Sequence, residues 1–390
     1  MKKLLIYYPE SCLSPKGGPA GYLYNLKNGL EKIGGFDNGS FQISFYGQFP
    51  TGLENNAGLK KRIPKRILEI RRALNDAVFV NKSFPVDDSM HEYDMIHFHS
   101  TEKMYLCRNF LKDYQGKVLL TSHAPCGIYK ERIDKLNPFD YKLLKKKIDR
   151  LEELDRYAFE RADYIIFPCE EAEEPYFNTW KRYASLRVAS KYRYMTTGIM
   201  PCTAKVPRSQ IRQKYGIPED AFLISYAGRH NEIKGYGDLK KIGEKMLADK
   251  DVYFLIAGVE GPIYRLKNDR WIEVGWTNDP HSLIAASDVF VLPNHETYFD
   301  LVLLEVISLG IPMVLSETGG NKYFKRYQSD GFLFYRTVEE AVLKLKTMKA
   351  KTPRERAALG ADVKRIFDQD FTVETFAENY IKTIGKIAND

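Results

Sequence analysis

Long apolar runs and paired cysteines are what this chain of 390 residues has least of. No apolar stretch approaches the roughly 18 residues that a membrane-spanning helix needs. The opening MKKLLIYYPES carries an apolar run too short for a signal peptide, so it is interpreted as a first strand. The five cysteines are odd in number and include no C-x-x-C pair, which is typical of a reducing cytoplasm. We therefore expect a cytoplasmic protein, either free or peripheral on the inner face of the membrane.

The composition indicates a folded protein of two domains. Hydrophobic residues make up 44% of the chain and aromatic residues 13%, which excludes wholesale disorder. A chain of 390 residues is also too long for one ordinary core. Roughly ten apolar strand candidates alternate with helical segments, and this pattern predicts an α/β fold with parallel sheets covered on both faces. A long charged helix is predicted over 130–161, and the last strand of the first half over 194–199.

The net charge of +8 is unevenly distributed. Residues 1–200 carry 32 Lys and Arg against 25 Asp and Glu, whereas the remainder is close to balanced. Much of the excess lies in two basic runs, Lys60 to Arg72 and Lys142 to Arg150. An ordinary solvated face is the simpler interpretation of these runs, and an anionic membrane surface as a partner is the more specific one. No nucleic-acid recognition module is found, so nucleic acid is not expected as a partner.

The most informative stretch runs from Phe290 to Asn321. It predicts a buried strand, a polar loop, an almost wholly apolar helix and a second buried strand. One carboxylate, Glu305, lies within the apolar helix, where it needs either solvent or a dedicated partner. The N–H groups at the start of this helix, at Leu301 and Val302, favour an anion. A strand, a loop and a helix start in this order are typical of phosphate binding in open α/β sheets.

The residues TYFDLVLLEVISLGIPMV, from Thr297 onward, resemble the donor-binding signature of glycosyltransferase family 4, whose members are retaining enzymes of the GT-B architecture. Glu305 matches the second glutamate of that signature, and the Gly-x-Pro turn that follows also matches. The sequence departs from the signature twice. Thr297 stands where the family has its first glutamate, with Glu296 as the nearest carboxylate, and Asp300 stands where the family usually has glycine.

The resemblance implies two Rossmann-like domains that face each other across a cleft. The first would comprise residues 1–202 together with a C-terminal helix over 371–390 that crosses back onto it. The second, over residues 203–370, would bind a nucleotide sugar. Its donor-binding residues would lie in the signature loop and helix, namely Glu296, Thr297, Asp300, Leu301, Val302 and Glu305.

A glycine-rich segment, SPKGGPAGYLYNL, follows the first strand. Gly17 and Gly18 let the backbone turn tightly and approach a ligand, and the resemblance implies that they lie near the donor phosphates. The segment is not G-x-G-x-x-G, so dinucleotide binding is disfavoured. A tight turn without a ligand is the alternative for these glycines.

Three histidines stand near the ends of two predicted strands. His123 comes just past a buried strand, where open α/β sheets place ligands. It also matches the histidine with which family 4 enzymes contact the donor sugar, and loop packing is the alternative. His97 and His99 alternate along the preceding strand without a third ligand for a metal, so they are interpreted as structural.

Two cations, Arg229 and Lys234, follow the first strand of the second half in the segment GRHNEIKG. Two cations on a strand-to-helix turn can neutralise a diphosphate without a metal. The resemblance implies this role for both residues. An ordinary exposed arginine and lysine are the alternative.

The predicted function is the transfer of a sugar from a nucleotide sugar, expected to be a UDP-sugar, to a glycan or lipid-linked saccharide, with retention of configuration. His123, Arg229 and Lys234 would be the catalytic residues, and neither a cofactor nor a metal is expected. Two alternatives remain open: a non-catalytic partner subunit of the same architecture, and a sugar-nucleotide epimerase. The sequence predicts no oligomeric state.

Overall fold

The computed structural model describes residues 1–9, 13–15, 18–46, 66–68, 70–71, 88–124, 126–133, 136 and 138–390. Within these ranges the chain forms two compact units. Unit 1 comprises Met1–Pro168, Glu173–Thr196 and Ala377–Asp390, and unit 2 comprises Cys169–Ala172 and Thr197–Phe376. None of the helices in the described ranges is long and apolar enough to cross a membrane.

Unit 1 is built around a sheet of six parallel strands: β1 (Lys2–Tyr7), β2 (Phe41–Phe45), β3 (Met95–Phe98), β4 (Lys117–Leu120), β5 (Tyr164–Phe167) and β6 (Tyr192–Tyr194). Their order across the sheet is β2-β1-β3-β4-β5-β6. Neighbouring residues such as Leu4, Leu5 and Ile6 in β1 are all buried, although they point to opposite faces. Burial of both faces is what a parallel sheet covered by helices requires.

Helices connect these strands and cover the sheet. In the first of them, Tyr22, Leu26 and Leu30 are buried at helical spacing. The segment Ala377–Asp390 belongs to the same unit, and Lys117 Nζ donates a hydrogen bond to the carbonyl O of Ile387 at 2.6 Å. The α-helices of this part are Gly18–Ile33, Thr101–Leu106, Phe110–Asp113, Ile128–Ile133, Pro138–Ile148, Glu152–Arg161, Glu174–Thr179 and Tyr183–Leu186.

Unit 2 repeats the architecture with a second sheet of six parallel strands. They are β7 (Phe222–Ala227), β8 (Val252–Ala257), β9 (Trp271–Gly275), β10 (Val289–Leu292), β11 (Met313–Ser316) and β12 (Phe332–Tyr335), in the order β12-β11-β10-β7-β8-β9. The α-helices of the second part are Arg208–Lys214, Tyr236–Met246, Pro280–Ala285, Leu301–Ser308, Val338–Ala350, Pro353–Asp370 and Val373–Asn389, the last of which continues into unit 1.

Alternate residues of β7 pack on opposite faces of this second sheet. Ile224 and Tyr226 lie in one apolar cluster, which includes residues of the helices Tyr236–Met246 and Val338–Ala350. Leu223 lies in another cluster on the other face, with Ile211 and Leu283. Both faces are therefore filled, and the carboxyl ends of the strands are the edge that remains for a ligand.

Two segments differ from the sequence prediction. The long helix expected over 130–161 is divided into Ile128–Ile133, Pro138–Ile148 and Glu152–Arg161. Pro138 explains the first division, because proline lacks an N–H group and is favoured at a helix start. The strand expected over 194–199 covers Tyr192–Tyr194 instead, and Ile199 forms an isolated bridge with Thr372.

Candidate functional site

The strand order of unit 2 defines a ligand crevice between β7 and β10. From β7 the chain proceeds through β8 and β9 to one edge of the sheet, and from β10 through β11 and β12 to the other. In such sheets, ligands bind outside the carboxyl ends of the strands where the order reverses. The loop 228–235 follows β7 and the loop 293–300 follows β10, so both loops border this crevice.

Gly235 lets these two loops touch. It has a φ of +62°, and a Cβ atom built on it would lie 1.6 Å from the carbonyl O of Pro293. Any other residue would therefore force the loops apart. The backbone N–H of His295 also donates to the carbonyl O of Ile233 at 2.9 Å. This contact fixes the backbone of Lys234, which immediately precedes Gly235.

Lys234 reaches the start of the helix Leu301–Ser308. Its Nζ lies 2.5 Å from Oδ2 of Asp300, which is the N-cap residue of that helix. The Asp300 side chain makes no capping hydrogen bond with the helix. The first N–H groups of the helix, at Leu301 and Val302, therefore have no intrahelical or capping acceptor and can bind an anion.

Arg229 lies near the beginning of the loop that carries Lys234. Its side chain is exposed, and within the described part of the chain its guanidinium forms no hydrogen bond or ion pair. The hydroxyl of Tyr226 donates to the carbonyl O of Arg229 at 3.0 Å. Burial, and after it the charge of Asp300, raises the pKa of Tyr226, whereas the charge of Arg229 lowers it. Arg229 and Asp300 thus both act on the same buried tyrosine.

Glu305 has a dedicated partner. Its Oε2 lies 3.5 Å from Nε2 of His281, in the helix Pro280–Ala285. Hydrogen bonds with Cys202 and with Glu305 raise the pKa of His281 to about 10, so His281 is cationic at neutral pH. The Glu305 side chain remains 26% exposed, which leaves part of the carboxylate accessible to a ligand.

The rest of the signature loop contains a buried polar cluster. Thr297 is 1% exposed, and its Oγ1 has no hydrogen-bond partner among the described residues. The same is true of Oδ1 of Asn294 and of Asn321. Buried oxygens of this kind are normally satisfied by ordered water or a ligand. Asn294 Nδ2 donates to the carboxylate of Asp300, and Glu296 is half-buried.

The glycine-rich segment after β1 is only partly described. Gly17 lies outside the described residues. Gly18 begins the helix Gly18–Ile33 with a φ of +62°, and a Cβ atom built on it would meet nothing within 4 Å. The space next to Gly18 is therefore open, and the predicted approach of a ligand to this segment stays a prediction.

Three histidines lie at the carboxyl ends of β3 and β4. Nδ1 of His99 lies 2.8 Å from Nε2 of His123, and the ring of Tyr22 packs edge-on against His123 with centroids 4.6 Å apart. Both ring nitrogens of His97 have partners, the hydroxyls of Tyr380 and Thr121, each at 2.9 Å. Both nitrogens of His97 are thus satisfied within unit 1, and its structural role stays a prediction. The structural interpretation of His99 does not anticipate its contact with the predicted site residue His123.

His123 has a φ of +58°, a left-handed conformation that is unusual for a residue with a Cβ. Such conformations cost on the order of 1–3 kcal/mol and cluster at functional sites. Burial lowers the pKa of His97 and of His123 to about 3, and that of His99 well below its usual value. All three imidazoles are therefore neutral at physiological pH, and the cluster offers hydrogen bonds without charge.

One family model matches within unit 2. Residues 221–348 match the family model described as Glycosyl transferases group 1. N-acetyl-alpha-D-glucosaminyl L-malate synthase of Bacillus anthracis is 26% identical over 134 residues, which cover 32% of this chain and 35% of that protein. UDP-Gal:alpha-D-GlcNAc-diphosphoundecaprenol alpha-1,3-galactosyltransferase of Escherichia coli is 28% identical over 143 residues, which cover 33% and 36% respectively. The chain thus spans about a third of the length of these curated relatives.

Residues 221–348 form a glycosyl transferases group 1 domain. The predicted family is confirmed, because this glycosyltransferase domain contains both predicted cations and the complete signature loop and helix. Among solved structures, sucrose-phosphate synthase from Thermosynechococcus elongatus is similar over 100% of both chains, with a TM-score of 0.67 and 18% sequence identity. The predicted fold class, GT-B with two Rossmann-like domains, is confirmed by this likeness and by the two parallel sheets.

The described residues contain no group of three or more His, Cys, Asp or Glu that could hold a metal ion. Two Asp-x-Asp tripeptides, 249–251 and 368–370, occur in the sequence but do not border the crevice. The first immediately precedes β8, at the amino end of the strand, and Asp249 pairs with Lys349. In the second, Asp368 pairs with Lys364 on one helix at 2.6 Å. The expected independence from metal stays a prediction.

One of the two basic runs is well described. In the helix Pro138–Ile148, Phe139 is 68% and Leu143 73% exposed, and they lie four residues apart beside exposed lysines. Of the run from Lys60 to Arg72, only 66–68 and 70–71 lie within the described residues. Arg66 of the first run contacts the helix Pro138–Ile148, because its guanidinium donates to the carboxylate of Asp140 at 2.7 and 2.8 Å.

Sequence reasoning missed three residues that contact predicted site residues: His99, His281 and Asn294. The apolar surroundings of Glu305 indicate that it needs a partner. His281, however, lies 24 positions away on another helix, and no sequence motif identifies it. For His99 a signal existed, since the carboxyl ends of neighbouring parallel strands meet at one edge of a sheet.

Proposed function

We propose that this protein is a retaining glycosyltransferase that moves a sugar from a nucleotide sugar, a UDP-sugar, to a glycan or lipid-linked saccharide of the cell surface. The observation that carries the proposal is the contact of Lys234 with Asp300 at the start of the helix Leu301–Ser308. A cationic side chain beside unoccupied helix N–H groups is suited to a diphosphate.

In this proposal the diphosphate of the donor replaces a carboxylate. Asp300 holds Lys234 at the helix start, and the donor phosphate takes its place as the acceptor of that charge. The exposed guanidinium of Arg229 adds a second cation to the same crevice. As the sugar leaves, negative charge grows on the diphosphate, and preorganised donors of this kind typically contribute about 3 kcal/mol each to the transition state. The two cations do the work that a metal ion does elsewhere, so turnover should not need one.

Glu305 accepts hydrogen bonds from the ribose hydroxyls in this scheme. The cationic His281 beside it orients the carboxylate, and the exposed part of the side chain is available to the ligand. A neutral hydroxyl in place of the family's first glutamate, at Thr297, leaves the sugar without that carboxylate. We infer that Asp300, once released by Lys234, accepts hydrogen bonds from the sugar instead, because it is the nearest carboxylate at the helix start. His123 contacts another hydroxyl of the sugar.

The choice of a UDP-sugar and of a lipid-linked acceptor is supported by the relatives. The name of the similar E. coli enzyme contains both UDP-Gal and diphosphoundecaprenol, although only 33% of this chain is covered. Retention of configuration is inferred from the resemblance of the signature. The same resemblance implies attack on the face from which the diphosphate departs, without a covalent intermediate.

A lipid-linked acceptor would explain the basic surface of unit 1. Phe139 and Leu143 can enter the interface of an anionic membrane while the lysines around them contact its head groups, each adding about 1 kcal/mol. Cosedimentation with vesicles that contain anionic lipid tests this, with neutral vesicles as the control. The variant with Phe139→Ser and Leu143→Ser should bind less. Equal sedimentation of variant and parent would remove this helix from the proposal.

Thermal melting with a panel of nucleotide sugars tests the donor, because a ligand that binds the folded state raises the melting temperature. UDP and one or more UDP-sugars should stabilise the protein more than other nucleotides. Release of UDP only when a saccharide acceptor is added would then identify a transferase. Conversion of one UDP-sugar into another without an acceptor would identify an epimerase, and stabilisation without either reaction would identify a non-catalytic partner subunit.

A further inference from the structure

His99 and His123 form a direct imidazole–imidazole contact. His99 follows the last residue of β3, and His123 lies in the loop after β4. Nδ1 of His99 is 2.8 Å from Nε2 of His123, and the two rings are stacked with centroids 5.1 Å apart and planes at 23°. A hydrogen bond at this distance needs one proton between the two nitrogens, so it also fixes which nitrogen of each ring is bare.

The contact holds two neutral rings. His99 is buried and His123 is half-buried, and no acidic side chain contacts either ring among the described residues. A neutral imidazole has one N–H and one bare nitrogen, so only two arrangements are available. Either His99 donates from Nδ1 to Nε2 of His123, or His123 donates from Nε2 to Nδ1 of His99.

The far nitrogen of His99 decides between the two arrangements. Nε2 of His99 is buried and has no hydrogen-bond partner among the described residues. In the second arrangement this atom would carry a proton, and a buried N–H without an acceptor is costly and rare. In the first arrangement it is only a lone pair without a donor, which is the less unfavourable defect. The first arrangement is therefore favoured, and His123 then carries its own proton on Nδ1.

We propose that His99 is a positioning residue that holds His123 in the Nδ1-protonated tautomer, so that His123 presents a neutral N–H donor to a hydroxyl of the transferred sugar. The substrate named here rests on the proposed function, whereas the tautomer doesn't depend on it. The strained backbone of His123, with its φ of +58°, serves the same end because it fixes the direction of the ring. With Nε2 engaged by His99, His123 does not act as a general base through that atom.

The tautomer can be measured in the wild-type protein without any assay of activity. The chain has seven histidines, and 15N spectra of protein labelled in the imidazole nitrogens distinguish protonated from bare Nδ1 and Nε2. The His123 signals are assigned by their loss in His123→Asn. We expect a protonated Nδ1 and a bare Nε2 for His123. A protonated Nε2 on His123 in the wild type would overturn the proposal.

Two variants of His99 separate positioning from packing. In His99→Asn, the amide nitrogen lies near the former Nδ1 and can still donate to His123, whereas in His99→Gln the amide reaches past that point. His123 should keep its Nδ1 proton in His99→Asn. In His99→Gln it should no longer prefer the Nδ1-protonated tautomer over the Nε2-protonated one. Retention of the Nδ1-protonated form in both variants would show that His99 does not fix it.

Kinetics of the same pair test the functional half of the proposal. Relative to wild type, kcat should fall about tenfold in His99→Gln and stay within about twofold in His99→Asn, since only the former releases a transition-state contact. The stabilisation by UDP, which is bound by unit 2, should be unchanged in both. Equal kcat in the two variants, together with the expected tautomers, would show that the N–H of His123 isn't used. Absence of any transfer by the wild type would overturn the proposed function and leave the tautomer result intact.

Discussion

The carboxyl edges of the two sheets differ in charge. At the edge of unit 2 lie side chains of charged residue types: Lys234 paired with Asp300, Arg229, and Glu305 paired with His281. At the edge of unit 1 lie three histidines that burial keeps neutral and that are joined to hydroxyl groups and to one another. The two units share one architecture, but the carboxyl edge of unit 2 offers ionic contacts and that of unit 1 offers uncharged hydrogen bonds.

This difference matches the two parts of the proposed donor, a nucleotide sugar. A diphosphate is a dianion, and charge-assisted hydrogen bonds are the strong way to hold it. A sugar hydroxyl is neutral, and a neutral donor or acceptor binds it without desolvating an ion. If the comparison is right, substitutions in unit 2 should change nucleotide binding, and substitutions in unit 1 should change turnover alone.

Lys234→Ala should have the largest effect. We expect turnover to fall about a hundredfold, because the cation that meets the growing charge of the leaving diphosphate is lost. The melting shift produced by UDP should shrink as well. Lys214→Ala, an exposed lysine of the same unit, is the matched control and should behave like wild type. Turnover of Lys234→Ala equal to that of this control would remove Lys234 from the site.

His123→Gly should lower turnover by about thirtyfold, because an oriented donor to the sugar is lost, yet leave the UDP melting shift unchanged. A smaller UDP shift would contradict the division of labour between the units. His123→Ala is the matched partner, with the same imidazole removed but a Cβ retained at a φ of +58°. The glycine variant should therefore be more stable than the alanine variant by about 1 kcal/mol in the free energy of unfolding.

Glu305→Gln should weaken UDP binding by about tenfold, because hydrogen bonds to an ionised acceptor are worth more than those to an amide. Isothermal titration of UDP measures this directly. Uridine gives the more specific test, since it keeps the ribose but lacks the diphosphate. Its affinity should also fall about tenfold in Glu305→Gln. An unchanged affinity for both ligands would mean that Glu305 contacts His281 but does not bind the ribose.

Asp300→Asn should act in opposite directions on binding and on turnover. UDP should bind about fivefold more tightly, because the competing carboxylate beside Lys234 is gone. Turnover with the UDP-sugar should fall, because the carboxylate assigned to the sugar is gone too. The ratio of the two effects is the measurement that matters. Weaker binding of UDP would show that Asp300 assists the diphosphate rather than competing with it.

His281→Asn should have the smallest effect, and its signature is a pH dependence of stability. The pKa of His281 is raised from its ordinary value of 6.5 to about 10. The folded protein therefore binds a proton that the unfolded chain has lost between these pH values, so the stabilisation is complete below pH 6.5 and disappears as pH rises to about 10. Denaturant unfolding across this range should show a decline in wild type that is shallower in His281→Asn. Parallel curves would mean that His281 is not held by its partners.

Most of the fold could be predicted from local sequence pattern. The α/β class is predictable because buried parallel strands appear as continuous apolar runs, as in the strands Phe222–Ala227 and Val252–Ala257 of unit 2. The edge strand Tyr192–Tyr194 was misplaced toward 199, since an edge strand is held by one neighbour and its pattern is weak. Pattern alone also joined helices that Pro138 separates.

The candidate site was predictable where residues close in sequence share a loop, and not where they meet through the fold. Lys234 and Asp300 could be named from motif resemblance, but their direct contact could not, because it depends on Gly235 packing against Pro293. The partnership of Glu305 with His281 depends on the packing of two helices. Such contacts join distant positions, and no local periodicity encodes them.

The discontinuity of unit 1 has a consequence for biosynthesis. The segment Ala377–Asp390 belongs to that unit, and within it Tyr380, Ile384 and Ile387 are completely buried. A ribosome translates all of unit 2 before it reaches this segment. The sheet of unit 1 is synthesised first but cannot be fully buried until Ala377–Asp390 has been made. Unit 2 is synthesised later and can complete its core earlier. Nascent chains halted before residue 377 should therefore expose the apolar surface of unit 1 that this segment buries, and chaperones should bind it.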